Sequence, residues 1–545
     1  MTSTRSHGPS GPVPQELHGA QLFAAFAGLM LALLLAALDS TIVSTALPTI
    51  VGELGGLERL AWVVTAYLLG NTIVTPLYGK LGDLHGRRIV LQFAIVVFLV
   101  GSMLCGIAQS MLQLVVFRFV QGMGGGGLMV TIQAVIGDIV SPRRRGRYQG
   151  FIGATFGLAS IAGPLVGGYF TTHLTWRWIF YVNLPLGLLA LVVLAATLPR
   201  TTRRVAHAID YAGAALLAIA LSTIVLLTDL GGTAVPWNSI TVLALAATGA
   251  LALALFVVVE RRHPEPVVPL RLFGNRTFVV SSAVGVVVGF ALFGSVTYLP
   301  MFLQVVRGAT PTASGTQMLP MMGGMLLTSI VSGQIISRRG RYRTFPIVGT
   351  AVMTVGLLLL SRLNVETTLP QALGMMAVLG LGLGMVMQVL IIAVQNDVPY
   401  RDLGVATSGT TLFRLIGGSI GTAVLGAIFA AAYTARITAL RPELGAAVTH
   451  SLTPQELVNL PQAERAVYVS AFAPSLSLIF LVAAGVAVLG FAVSWLLPER
   501  PLRGAIAAAA GEPGLEMGEP FVMPHDADSE AHAVAARGEE RRASS

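Results

Sequence analysis

Gly79–Lys80–Leu81–Gly82–Asp83–Leu84–His85–Gly86–Arg87–Arg88 stands between two apolar runs, residues 60–79 and 89–108. Each run is about 20 residues, enough to cross the hydrocarbon layer as a helix. So short a connection makes the two runs antiparallel neighbours, and its basic residues assign it to the cytoplasmic side. The rest of the chain has the same character. Of 545 residues 54% are hydrophobic and 11% charged, and the mean hydropathy is +0.77. That leaves too little polar surface for soluble domains. The chain reads as an all-α polytopic membrane protein.

Fourteen apolar runs read as spans, at 21–46, 60–79, 89–108, 111–133, 149–170, 178–198, 210–230, 238–259, 277–303, 313–336, 344–361, 370–395, 404–432 and 470–497. With the first loop inside, the inner loops collect Lys80, Arg87, Arg88, Arg143, Arg144, Arg145, Arg147, Arg200, Arg203, Arg204, Arg338, Arg339, Arg341 and Arg343. Most outer loops hold a single arginine, such as Arg59, Arg177, Arg307 or Arg362. Both termini are therefore expected in the cytoplasm and the protein in the cell membrane. The net charge of +9 is scattered between spans and forms no basic face with interleaved aromatics, so no nucleic-acid partner is expected.

Cys105 is the lone cysteine, which excludes a disulfide framework and a cysteine-based metal site. No cluster of His or carboxylates suggests a metal, and no Walker loop suggests ATP as the drive. An enzyme is not expected, nor any cofactor. Residues 1–20 read as a cytoplasmic segment without a signal peptide. Residues 499–545 are Ala-, Gly- and Glu-rich and read as a disordered tail. The outer loop 433–469 carries the helix-start pattern Ser451–Leu452–Thr453–Pro454–Gln455–Glu456 and is a possible docking place for an envelope partner.

The first loop recurs. Gly79, Gly86 and Arg87 align without a gap with Gly333, Gly340 and Arg341, and each loop joins one span to the next. Asp138 and Asp397 then precede two glycine-rich helices in the same order. The chain thus reads as two homologous six-helix halves, 21–200 and 265–498, with two inserted helices in 201–264. Such repeats build secondary transporters, whose halves rock around a central site.

With these residues in view, the 79–88 loop resembles the signature of the major facilitator superfamily. Four further stretches resemble its fourteen-helix drug:proton antiporters. They are Leu38–Asp39–Ser40–Thr41–Ile42–Val43–Ser44–Thr45–Ala46–Leu47–Pro48, the run Arg118–Phe119–Val120–Gln121–Gly122 into Gly124–Gly127, span 5, and Trp176–Arg177–Trp178–Ile179–Phe180–Tyr181–Val182–Asn183–Leu184–Pro185. The resemblance implies the major facilitator fold with two extra central helices. It also implies alternating-access export of amphipathic compounds driven by the proton gradient, as in multidrug efflux and antibiotic resistance. Export of an endogenous lipid or secondary metabolite is the neighbouring reading, and a sensor or channel is the reading of another class.

Asp39 lies inside an apolar run, where a carboxylate is costly and marks a functional candidate. An acid that cycles between charged and neutral forms is what proton-driven exchange requires; the plainer alternative is an acid reaching water at the outer end of span 1. Arg118 is a second charge in a span and needs a partner, and Asp39 is the natural one. The resemblance assigns proton coupling to this arginine. In span 5, Gly153, Gly157, Gly163, Pro164, Gly167 and Gly168 favour close, bent packing and resemble the antiporter helix motif. In the first loop, Gly79, Asp83, Gly86, Arg87 and Arg88, with Asp138, read as a cytoplasmic gate, Asp83 and Arg87 tying span 2 to span 11. Tyr67, Asn71, Gln121, Gln304, Gln388 and Arg414 are polar residues within spans that are expected to face the substrate cavity. Spans 9–14 contain no acidic residue well inside them, a departure from the resembled family. Some of its members carry acids there that are linked to dicationic drugs, so the resemblance does not extend to dicationic cargo.

Overall fold

The computed structural model describes residues 19–54, 60–140, 142–199, 210–231, 235–236, 238–264, 266–440 and 462–502. These residues form sixteen α-helices: α1 (Gly19–Leu54), α2 (Leu60–His85), α3 (Arg87–Gly106), α4 (Met111–Ile139), α5 (Pro142–His173), α6 (Trp178–Tyr181), α7 (Asn183–Thr197), α8 (Tyr211–Leu230), α9 (Ile240–Arg262), α10 (Arg276–Val305), α11 (Pro311–Gln317), α12 (Leu319–Arg339), α13 (Thr344–Leu360), α14 (Leu369–Asp397), α15 (Leu403–Leu440) and α16 (Gln462–Ser494). Ten helical segments among them are long and apolar enough to cross a membrane, with α6–α7 and α11–α12 each counted as one. α8 and α13 hold shorter apolar stretches; α2 packs on α4 and α15, and α5 on α1 and α12.

Apolar sequence makes helices here because each residue must satisfy its own backbone within the segment when lipid surrounds it. Polar caps fix several starts. Ser110 accepts from the Gln113 amide at 3.3 Å, Asp210 from Gly213 at 2.7 Å and Asn275 from Phe278 at 2.9 Å. Span 6 breaks at Val182 into α6 and α7. Pro185 has no N–H for the Tyr181 carbonyl one turn earlier, which explains the break.

Each half has its own core. Leu29, Phe98, Ile132 and Leu194 pack in the first; Leu299, Phe302, Met353 and Phe480 pack in the second. α2 packs on α15 and α12 on α5, so each half offers the equivalent helices to the other. The inserted helices α8 and α9 pack through Leu217, Leu221 and Phe256 against Leu412 of α15 and against α2. Gly86 (φ 88°, ψ 133°) and Gly340 (φ 71°, ψ 8°), the matched glycines of the repeated loop, both have positive φ, though only Gly340 is left-handed helical. α15 continues to Leu440 and α16 begins at Gln462, each reaching into the region read from sequence as loop 433–469. The Ala430–Ala432 run has high helix propensity and carries α15 onward. Ser451–Glu456 and the tail from 503 lie outside the described residues.

Candidate functional site

Asp39 and Arg118 meet. Arg118 Nη1 donates to Asp39 Oδ2 at 2.6 Å, and both side chains are buried. Around them stands a polar cage drawn from four helices. Gln121, one turn along α4, donates from Nε2 to Asp39 Oδ1 at 2.7 Å and accepts from Arg118 Nη1 at 2.8 Å. Asn183, at the start of α7, donates to Asp39 Oδ1 at 3.3 Å and to Ser102 Oγ of α3 at 3.0 Å. Arg118 Nε reaches the Val63 carbonyl of α2 at 3.3 Å, and its guanidinium lies 4.2 Å over the Tyr67 ring. A buried ion pair is tolerable only when its remaining valences are filled. Here amide, hydroxyl, carbonyl and aromatic face fill them. Tyr67 and Gln121 thus belong to this cage.

The glycine helix α5 packs on α1 of its own half and on α12 of the other. Thr41, two residues after Asp39, donates to the Ala159 carbonyl of α5 at 3.0 Å, and a side chain at Gly163 would collide with Thr41. A methyl at Gly153 would stand 3.4 Å from Ser329 of α12, whereas Gly157 and Gly168 face open space. The motif therefore presses α5 against the helix of the acid on one side and against the other half on the opposite side. The Pro164 side chain lies outside the described residues.

The repeated loop of the first half forms a second charged cluster. Arg87 bridges two carboxylates, Asp83 Oδ1 at 2.8 Å through Nη2 and Asp138 Oδ2 at 2.6 Å through Nε. Asp83 in turn accepts from two backbone N–H groups of α15, Gly404 at 3.1 Å and Val405 at 3.0 Å. This corrects the sequence expectation, which tied the loop to span 11: the partner is the start of α15. The first N–H groups of a helix have no partner within it and form the positive end of its dipole, so they draw a carboxylate. Gly404 leaves room, since a side chain there would strike Asp83. Tyr400, in the turn before α15, bonds to Asp138. Asp83 projects beyond the 60–79 run, and burial pushes its carboxyl up to about 7, opposed by the Arg87 charge and the Val405 and Gly404 amides. Arg88 does something different. It donates to the Leu198 carbonyl at 2.6 Å and the Ala195 carbonyl at 2.5 Å, capping α7 within its own half.

Three groups at this end escaped the sequence reading. Arg145, buried near the start of α5, donates to the Val140 carbonyl at 3.1 Å, to the Gly137 carbonyl, and across to the Gln395 carbonyl of α14 at 3.4 Å. Gln395 donates back to the Gln133 carbonyl at 3.2 Å and to Thr407 at 3.1 Å. Thr411 meets Gln133 Oε1 at 3.4 Å. Arg145 sits in a run of four arginines between 143 and 147, and nothing in that run marks the one that turns inward. Of the other polar residues in spans, Asn71 accepts from Thr75 through its carbonyl at 2.8 Å, and Gln304 donates to Ser314 at 2.9 Å. Gln388 and Arg414 are buried in α14 and α15.

The arrangement is a buried acid–base pair in one half and a charged fastening between the halves at the loop end, both in an apolar helical bundle. The model of the Major Facilitator Superfamily matches residues 29–422. The chain is 44% identical over 485 residues to an uncharacterized MFS-type transporter of Mycobacterium tuberculosis, covering 88% of this chain and 69% of that one. It is 41% identical over 401 residues to the multidrug transporter protein MdtP of Bacillus subtilis, covering 74% of each. Among solved structures, the proton:xylose symporter XylE superposes with a TM-score of 0.59 at 14% identity, over 89% of this chain and 98% of that one. The chain belongs to the major facilitator superfamily: it is a multi-span membrane transporter, with multidrug transporters among its relatives.

Proposed function

We propose that this major facilitator exports amphipathic organic compounds from the cytoplasm in exchange for protons, with Asp39 and Arg118 as the coupling pair. The observation that carries the reading is the Asp39–Arg118 pair at 2.6 Å, enclosed by Gln121, Asn183, Ser102 and Tyr67. Ionised Asp39 is held by the guanidinium. A proton arriving on Asp39 cancels that attraction, while Arg118 keeps Gln121, the Val63 carbonyl and the Tyr67 face. The charge change then bears on α1, α4 and, through Thr41, on α5, whose far side touches the other half. That is a route from a protonation event to the rocking of two halves. Arg87, Asp83 and Asp138 with the start of α15 act as the cytoplasmic latch, closed here. The printed name of the MdtP relative supports drugs as cargo.

The test is purified protein in everted vesicles, scored for substrate-induced proton release across a panel of amphipathic compounds. Proton release that follows compound uptake is expected from the native chain. Asp39→Asn is expected to abolish it while insertion and elution profile stay unchanged. Arg118→Lys is expected to fail as well, because a lysine cannot reach the carboxylate, the amide and the carbonyl together. Native coupling in a well-inserted Asp39→Asn protein would sink the reading.

A further inference from the structure

The buried charges of the two halves do not balance alike. In the first half Asp39 and Arg118 neutralise one another. In the second, spans 9–14 contain no acidic residue at all, yet Arg414 lies within α15 at 6% exposure. At about 1.5 Å per residue it stands roughly 16 Å along the helix from Leu403. No charged or hydrogen-bonding partner holds it among the described residues. A guanidinium stays charged at any working pH, and an uncompensated charge at that depth marks a place that something of opposite charge visits.

Helical register shows where Arg414 points. Thr407, Thr411 and Arg414 share one face of α15, at i, i+4 and i+7. Thr407 meets Gln395 of α14, and Thr411 meets Gln133 of α4 in the other half. The face therefore looks into the junction between the halves, and Arg414 comes one turn above its last fastening. α14 runs antiparallel to α15. Counting seven residues back from Gln395, which pairs with Thr407, brings Gln388 to the level of Arg414 on the same face of α14. Gln388 is buried and its Oε1 has no partner. α10 adds bare backbone: a methyl on Gly285 would stand 4.0 Å from Arg414 Cβ. Below it, the hydroxyls of Ser281 and Ser282 are buried and unpartnered.

We infer that Arg414, with Gln388 beside it, is an anion subsite at the junction of the halves, and that the cargo is an amphipathic organic anion carrying a carboxylate or sulfonate. The inference rests on the export reading above and names its substrate class. The guanidinium fork matches a planar carboxylate or a sulfonate through paired N–H bonds, and the Gln388 amide supplies a neutral partner. The same charge repels an organic cation, and spans 9–14 offer no carboxylate to offset that. Inorganic chloride shares the required charge and is the competing source.

The test uses the full chain in lipid nanodiscs and two probes with one ring skeleton, the anionic 8-anilinonaphthalene-1-sulfonate and the neutral N-phenyl-1-naphthylamine. Binding above empty nanodiscs is measured in gluconate buffer. The native protein is expected to prefer the sulfonate by about tenfold or more. Arg414→Gln is expected to erase the preference and leave the neutral probe unchanged, and Arg414→Lys to restore part of it. An unaltered thermal melt shows that the variants fold. No preference in the native chain, or a preference that survives Arg414→Gln, overturns the inference. So does loss of the preference in physiological chloride, which would make this a chloride site. The two readings fail separately. Proton release driven only by neutral or cationic compounds leaves export standing and removes the anion assignment. Sulfonate binding at Arg414 without proton release does the reverse.

Discussion

The two copies of the repeated loop turn at the same place and have two electrostatic designs. Both turn through a glycine of positive φ, Gly86 and Gly340. In the first copy Arg87 is buried between Asp83 and Asp138, and Asp83 crosses to the start of α15 in the other half. In the second, Ser337 stands where Asp83 does and bonds back to the Gly333 carbonyl at 2.9 Å. Arg341 is exposed, and Tyr342 turns to its own half, meeting Glu499 at 3.1 Å and the Pro498 carbonyl at 3.0 Å. The interior follows the same division, with a neutralised pair in the first half and a bare arginine in the second. The repeat is one of helices. Charge distinguishes the copies: the first half fastens across to the second and holds a neutralised pair, and the second keeps a bare arginine.

Replacing the two matched arginines tests that contrast most severely. Arg87→Ala strands the buried Asp83 carboxylate and the partly buried Asp138 carboxylate without their cation, and breaking a buried pair costs about 3–5 kcal/mol. Arg341→Ala removes an exposed side chain and should stay within about 0.5 kcal/mol. Thermal melts of the purified variants, with transport at matched expression, measure both. Equal effects would mean that the first loop is no latch.

Titration separates the copies next. Buried in the closed latch, Asp83 has its carboxyl raised to about 7 from an ordinary 3.8; in an opened latch, in water, it returns toward the ordinary value. The closed form therefore binds the proton more readily. Closure is favoured as pH falls through 7 and is weakened as pH rises above it. Between pH 8 and pH 6 the closed-to-open ratio should rise about tenfold. Spin labels at the loop ends of α2 and α15 report the distance, and Asp83→Asn should flatten the response. The Ser337 loop has no carboxylate at this position and should show no such step.

What the sequence disclosed was what helix-scale patterning carries: apolar runs, charges stranded within them, and a loop that recurs. Asp39 and Arg118 stood out because membrane depth makes any charge conspicuous. Asn183 and Ser102 did not, since only the packing of α3 and α7 decides which polar side chains turn toward the acid. The partner of Asp83 was hidden for another reason. It is a pair of backbone N–H groups, and no side chain announces them. Gly404 is the one trace, a residue whose lack of a side chain admits the carboxylate.

The smallest effect bears on the positive-φ glycine that each loop holds. At Gly340 (φ 71°, ψ 8°) an alanine must hold a left-handed helical conformation, which costs about 1–2 kcal/mol. Gly86 (φ 88°, ψ 133°) lies where hardly any residue but glycine goes, and an alanine there is strained further. Nothing lies within 4 Å of a methyl on Gly340, so there the cost is conformational alone. Gly86→Ala and Gly340→Ala should then both lower the melting temperature, Gly86→Ala the more. Transport should diverge further than stability does. Gly86→Ala shifts the turn that sets Arg87 between its carboxylates, and Gly340→Ala shifts a turn that holds only its own half. Transport lost in Gly86→Ala and kept in Gly340→Ala, at a temperature where both variants remain folded, would show that the two loops are copies in sequence and not in mechanism.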